Sequence, residues 1–359
     1  MTDFDSLSRF GFGPWHREHA DTADRDGWEI ARVLNVNRTN WTVHTAHGEM
    51  RAELSGRLSW IQETSADRPA AGDFVWVQIF DDGDWALIDG VLPRKGVLKR
   101  KTAGVDVDVQ IIAANVDVAF IVQACDRDFN PARLDRYLIT VRDGDISPVL
   151  VLSKADLATP EDRARMRAAL ATRVLDLEPV FVSATTGEGL EDIESLLAPG
   201  QTVCLLGSSG VGKTTLLNAL LGEERFTTKA VREDDHRGRH TTTRRHLAML
   251  PGGALLIDTP GMRELGLLAS GDGFEQSFQD IENLASQCHF KDCQHESETG
   301  CAVLAAIEQG ALDPDRLQSW KKLGREAARN EMSLAEKRWR DKAQGKLYKR
   351  IMQSKRDRR

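Results

Sequence analysis

Between residues 28 and 88 the apolar positions gather, between polar stretches, in five short β-like runs, 28–34, 41–45, 50–54, 74–79 and 85–88. Short runs rich in β-branched and aromatic residues mark strands, and Asp81-Asp-Gly-Asp84 between the last two is a hairpin turn signal. Five strands in so short a stretch predict a small β-barrel, OB-like by preference, with an SH3-like or other packing barrel as the alternative. Trp41, Trp60, Trp76 and Trp85 fall in or near these runs and read as core before they read as stacking platforms. Residues 1–26 hold no sustained period and are expected to be a flexible arm.

A basic connector with Arg94, Lys95, Lys99, Arg100 and Lys101 sets a boundary near residue 100. Beyond it, apolar runs of buried-strand type at 116–122, 148–153, 179–182, 203–206 and 255–258 alternate with stretches of helical spacing at 131–139 and 216–221. Thr159 followed by Pro160 is a further helix start. Strands alternating with helices predict an α/β domain with a parallel sheet covered on both faces. Helical spacing resumes at 301–308, closed by Gly310, and from residue 314 with Leu317, Trp320 and Leu323. The expected organisation is an arm (1–26), a barrel (27–100), an α/β domain (105–270), a helical domain (271–325) and a C-terminal helix or tail (326–359).

Composition changes this picture in four places. The 359 residues suffice for two or three separate cores. No apolar run approaches a membrane span and the N-terminus is acidic, so neither a membrane protein nor a signal peptide is expected. Five cysteines, an odd number and few for the length, argue for a reducing, cytoplasmic setting. Net charge is −7 overall, yet residues 337–359 carry eleven Lys or Arg against two Asp. Such a tail is a solvated end or a phosphate-backbone contact.

The chemistry centres on Gly207-Ser208-Ser209-Gly210-Val211-Gly212-Lys213-Thr214-Thr215, which fits G-x-x-x-x-G-K-[ST] between a strand and a helix. Its glycines let backbone N–H groups turn onto phosphate oxygens, Lys213 reaches the β and γ phosphates, and the Thr214 hydroxyl can ligate Mg²⁺. Two other strands end in Ser153-Lys154-Ala155-Asp156 and Ser183-Ala184-Thr185. A carboxylate at Asp156 accepts two hydrogen bonds from guanine N1–H and its amine, a pair that adenine lacks. The Lys154 stem would lie over the base, and the Ala184 N–H would reach O6. Ser153 stands where such loops usually have Asn, which is expected to weaken the orienting contact.

Asp258-Thr-Pro-Gly261 follows a strand, so Asp258 can support the Mg²⁺ shell and Gly261 can sense the γ-phosphate. In the polar loop before it, Thr242 would complete the metal shell when GTP is bound. Base-reading loops thus precede the phosphate loop, which precedes the switches. A parallel sheet keeps its loops on the carboxyl edge whatever the chain order, so this arrangement predicts a circularly permuted P-loop GTPase. Met262 occupies the place of a water-orienting Gln, and His240 is the candidate to orient or accept a water proton instead.

Cys288, Cys293, His295 and Cys301 form C-x4-C-x-H-x5-C. Three thiolates and one imidazole make a closed tetrahedral Zn²⁺ site, which organises a fold and leaves no position for catalytic water. Cys125 and Cys204 lie in or beside apolar strands and read as core.

Taken together, these motifs and their order, over about residues 28–320, resemble the RsgA family of bacterial ribosome biogenesis GTPases. The resemblance implies an N-terminal OB barrel, a permuted GTPase domain and a C-terminal zinc-finger domain. It implies conversion of GTP to GDP, stimulation by the small ribosomal subunit, and a role in late maturation of that particle and its rRNA. It matches His240 to a histidine proposed as catalytic, and Cys288, Cys293, His295 and Cys301 to the zinc ligands. Ser153 and the basic extension depart from the pattern. The chain is expected to be a monomer with no membrane partner. The alternative is a P-loop NTPase acting as a metallochaperone or metabolic regulator.

Overall fold

The computed structural model describes residues 4–20, 25, 27–37, 40–61, 65–80, 84–101, 109–174, 176–222, 245–258 and 272–331. Two short helices come first, α1 (Phe4–Ser8) and α2 (Pro14–His19). Leu7 and Phe12 are buried in a cluster with Ile30, Phe74, Trp76 and Leu92. Over residues 4–20 the flexible arm expected from sequence is therefore a packed segment. Helices of five and six residues are too short to display a helical period, which is why the pattern missed them.

The barrel follows: β1 (Glu29–Val36), β2 (Trp41–Thr45), β3 (Gly48–Leu54), the short helix α3 (Gly56–Ile61), β4 (Phe74–Phe80) and β5 (Trp85–Val91). Neighbours run β1-β2-β3-β5-β4, and β4 returns to pair with β1, closing five strands. Closure removes the free edges. Trp41 and Trp76 are buried, whereas Trp60 is 89% exposed.

Next comes a separate hairpin, β6 (Val97–Lys101) with β7 (Val109–Ala114), where the sequence suggested only a connector. The α/β part continues with β8 (Val118–Ala124), α4 (Pro131–Asp143), β9 (Ser147–Ser153), α5 (Pro160–Ala171), β10 (Val180–Val182), α6 (Leu190–Ser195), β11 (Thr202–Leu206), α7 (Lys213–Leu221), β12 (Arg245–Met249) and β13 (Leu255–Asp258). Strands β10, β9, β8, β11 and β13 are mutually parallel in that order. Every residue of β8 and β11 is buried, as expected of strands covered on both faces.

The barrel and the parallel sheet are one surface, because β12 pairs with β13 on one side and with β1 on the other, at Asn35↔His246 and Val36↔Arg245. Arg32 pins this junction. It is 1% exposed and donates to Phe10 O (2.5 Å), Thr202 Oγ1 (3.0 Å) and Asn115 O (3.3 Å), with its guanidinium 4.4 Å above the Phe74 ring. Burial pulls its pKa down to about 10, which leaves it charged at neutral pH.

Four helices complete the described chain: α8 (Asp272–Ser277), α9 (Gln279–Ala285), α10 (Ala302–Glu308) and α11 (Pro314–Glu331). Their core of Phe278, Ile281, Val303, Leu317 and Leu323 includes Ile139 of α4. Buried Arg316 joins the two units by donating to Asp135 of α4 (2.7 Å) and Asp280 of α9 (3.0 Å). Removing one partner of such a buried pair costs about 3–5 kcal/mol. Helix α11 runs unbroken through residue 331, past the boundary expected near 325. Among the described residues no helix is long and apolar enough to cross a membrane.

Candidate active site and metal centre

The phosphate loop leaves β11 at Gly207. Its φ is +147°, and a Cβ there would stand 2.3 Å from Val122 O, so only glycine lets the loop leave the sheet this close to β8. Gly212 turns the chain with φ +87° into α7, whose N-terminus has no side-chain cap. The positive end of such a helix favours an anion. Lys213 Nζ donates to Gly207 O (2.7 Å) and Ser208 O (2.6 Å), curling over the loop that it would serve.

The loops at Ser153–Asp156 and Ser183–Thr185 follow the neighbouring strands β9 and β10. Ser153, Lys154, Asp156, Ala184 and Thr185 line one cleft of about 210 Å³ with Gly212 and Thr215 of the phosphate loop. Lys154 adopts a left-handed backbone, φ +56°, and its Nζ lies 2.8 Å from Asp126 Oδ2. Burial works against ionisation of Asp126, yet the Lys154 ammonium holds its carboxyl below the usual range. Ser153 Oγ lies 2.5 Å from Val211 O and 3.1 Å from Gln123 O. Its single proton can thus link this loop to the phosphate loop.

One support carried no sequence signal. Arg163 of α5 donates to Ala155 O (2.7 Å) and to Glu188 Oε1 (2.5 Å), while Ser183 N donates to Glu188 O (2.9 Å). One guanidinium therefore braces both base-reading loops. No local spacing announces a contact between residues twenty-five apart in sequence.

Asp258 closes β13, whose neighbour β11 leads into the phosphate loop. With the Thr214 hydroxyl it provides the oxygen-donor chemistry that suits Mg²⁺. His240, Thr242 and Gly261 lie outside the described residues.

Cys288, Cys293, His295 and Cys301 come together as the sequence predicts, their ligand atoms all within 4.8 Å of one another. The Cys288–Cys301 Sγ separation is 3.8 Å, and His295 Nδ1 lies 3.7 Å from Cys288 Sγ and 3.3 Å from Cys301 Sγ. A tetrahedron with ordinary zinc bond lengths has S···S edges of about 3.8 Å and S···N edges of about 3.6 Å. The donor set fits one Zn²⁺. Burial, with Lys321 nearby, lowers the His295 pKa and keeps the imidazole in its ligating form. Burial would raise the Cys288 thiol, but the Val303 and Ala302 backbone N–H groups bring it below its ordinary value. His295 takes a left-handed backbone at φ +56°, and Lys321 of α11 donates to its carbonyl at 3.0 Å.

Comparison with known proteins agrees with this geometry. The profile of the RsgA GTPase family matches residues 91–268. A protein of Vibrio parahaemolyticus named small ribosomal subunit biogenesis GTPase RsgA 2 is 40% identical over 356 residues, covering 98% of this chain and 94% of its own. A Xylella fastidiosa protein named small ribosomal subunit biogenesis GTPase RsgA is 51% identical over 326 residues, covering 86% and 93%. A crystal structure of YjeQ from Thermotoga maritima shares the fold with a TM-score of 0.63 at 24% identity, covering 84% of this chain and 99% of its own. The chain, a circularly permuted P-loop GTPase with a five-stranded barrel before it and a Cys3His cluster after it, belongs to the RsgA GTPase family.

Proposed function

We propose that this protein binds GTP at the carboxyl edge of the parallel sheet and acts on the small ribosomal subunit. GTP hydrolysis to GDP is coupled to late maturation of that particle and to the protein's own release. What supports the reading is the single cleft that Asp156 and Ala184 share with the phosphate loop, in a family whose members carry small-subunit biogenesis in their names.

In this reading the backbone N–H groups of residues 207–212 and the α7 N-terminus hold the phosphates, Lys213 neutralises them and Asp156 selects guanine. Thr214, Thr242 and Asp258 would hold Mg²⁺, which supplies charge neutralisation at the β and γ phosphates. Gly261 senses the γ-phosphate, and His240 places the attacking water. The C-terminal helices, held in shape by zinc, and the basic residues 337–359 face rRNA. Metal delivery, the competing role for the cluster, is not favoured. A closed Cys3His set has no open position for ligand exchange, and the relatives are named for ribosome biogenesis.

Co-sedimentation with purified small subunits tests the proposal. Protein loaded with a non-hydrolysable GTP analogue should pellet with the subunits, protein loaded with GDP should not, and His240→Ala loaded with GTP should behave like the analogue. Equal sedimentation in the two nucleotide states would contradict coupled release, and release of the GTP-loaded variant would remove His240 from the chemistry.

A further inference from the structure

Helix α4 touches both the phosphate loop and the C-terminal helices through ionic or hydrogen-bonding side chains. Near its N-terminus, Arg133 Nη1 donates to Ser208 Oγ at 2.6 Å, and Tyr137, one turn later, is hydrogen-bonded to the same hydroxyl. Positions i and i+4 share a helix face, so a single stripe of α4 holds one phosphate-loop side chain. Tyr137 is 4% exposed. The start of the helix is itself fixed to β8, because the Gln123 side chain accepts from Asn130 N (3.0 Å) and donates to Asn130 O (3.1 Å).

Asp135 and Arg136, between these two positions, reach the other unit. Asp135 receives Arg316 at 2.7 Å, and Arg136 meets the Glu326 carboxylate in two bonds of 2.5 and 2.6 Å, so both contacts end on α11. A paired fork of this kind fixes orientation as well as distance. Beside Arg133, a cleft of about 250 Å³ between α4 and α11 leaves its guanidinium room to move away from Ser208 without disturbing a packed core.

We infer that α4 is the strut through which the C-terminal helices set the phosphate loop, with Arg133 and Tyr137 as positioning residues acting on nucleotide through Ser208. A partner that shifts α11 changes the Arg136–Glu326 pairing, α4 moves with it, and the Ser208 contact tightens or breaks. The effect falls on nucleotide retention, because Ser208 belongs to the loop that wraps the phosphates. The inference rests on the nucleotide reading of that loop.

The test is GDP dissociation from the full-length, zinc-loaded protein, followed with a fluorescent GDP and accompanied by melting temperature, zinc content, and KM and kcat for GTP. Arg133→Ala should release GDP about tenfold faster and raise KM with little change in kcat, and Arg133→Lys should recover part of the loss. Tyr137→Phe, which keeps the ring, and Glu326→Gln, remote from the loop, should each release GDP about threefold faster. The Arg133→Ala/Glu326→Gln double variant should be no faster than Arg133→Ala alone, because the distal pair acts through the proximal one. Wild-type release from natively folded Arg133→Ala, or fully additive effects in the double variant, would overturn the inference. If Arg133→Ala misfolds, the Arg133→Lys and Tyr137→Phe rates decide in the same way. Wild-type protein that bound no GDP would overturn the nucleotide reading and this inference together.

Discussion

The metal centre and the nucleotide cleft are built by opposite means. All four residues of the Cys3His cluster come from residues 288–301, and the atoms they would offer a metal lie within 4.8 Å of one another. The nucleotide cleft draws on Ser153, Lys154 and Asp156, on Ala184 and Thr185, and on Gly212 and Thr215, residues that only the parallel strand order brings to one edge. A local site depends on its own ligands. A site assembled from several strand ends depends on topology and on supports that lie outside any motif.

Loss of a metal ligand should produce the largest effect and the most local one. Cys301→Ser takes one thiolate from the Cys3His cluster while leaving a hydroxyl able to accept from Leu304 N at the start of α10. Zinc in such sites contributes about 10–16 kcal/mol at neutral pH. Zinc content should fall to near zero and the helices from α8 onward should lose their amide protection. GDP release should quicken only about threefold, as for loss of the α11 brace. Full zinc retention would break the comparison from one side, and complete loss of nucleotide binding would break it from the other.

Asp156→Asn probes the distributed site. Replacing the acceptor carboxylate removes two hydrogen bonds to guanine and should weaken GTP binding about 100-fold, close to 2.7 kcal/mol, while improving binding of xanthosine triphosphate. Nucleotide titrations check this. Unchanged GTP affinity would mean that this cleft does not read the base.

A smaller effect sharpens the contrast at the N-terminal segment, which no motif announced. His16 is 8% exposed and 3.2 Å from Asn115 Oδ1, and burial lowers its pKa to about 4, with Arg32 and Lys95 adding to the shift and Asp117 opposing it. The unfolded chain takes up this proton near pH 6.5 and the folded chain only near 4, so stability should decline as pH falls between those values. A decline of about 2 kcal/mol is expected after allowance for partial burial. The difference in unfolding free energy between wild type and His16→Gln, measured across that range, should carry this slope, and a flat difference would contradict the assignment.

How much of this was legible in the sequence follows the same division. Gly207–Thr215 and the Cys3His spacing are contiguous patterns, and the base-reading loops became interpretable once the strand alternation placed them on one edge. The barrel was legible from its five short strand-like runs within some seventy residues. The supports were not. Arg133 to Ser208, Arg163 to Glu188 and Arg316 to Asp135 join residues 75, 25 and 181 positions apart, and an arginine carries no periodic signal of its distant partner. The pairing of β12 with β1 was hidden for the same reason, and it makes one sheet of what composition divided near residue 100. Ser153 departs from the usual Asn, and its hydroxyl donates to the Val211 carbonyl at 2.5 Å or to the Gln123 carbonyl at 3.1 Å, contacts that no motif announced.

The central claim is that the cleft at this sheet edge is a guanine-nucleotide engine answering to the small ribosomal subunit. The most direct measurement is phosphate release from GTP by the purified protein, alone and with small subunits, beside ATP and large-subunit controls. Turnover should be slow alone, with strong stimulation confined to GTP and the small subunit. Equal use of ATP, or equal rates with and without small subunits, would contradict it.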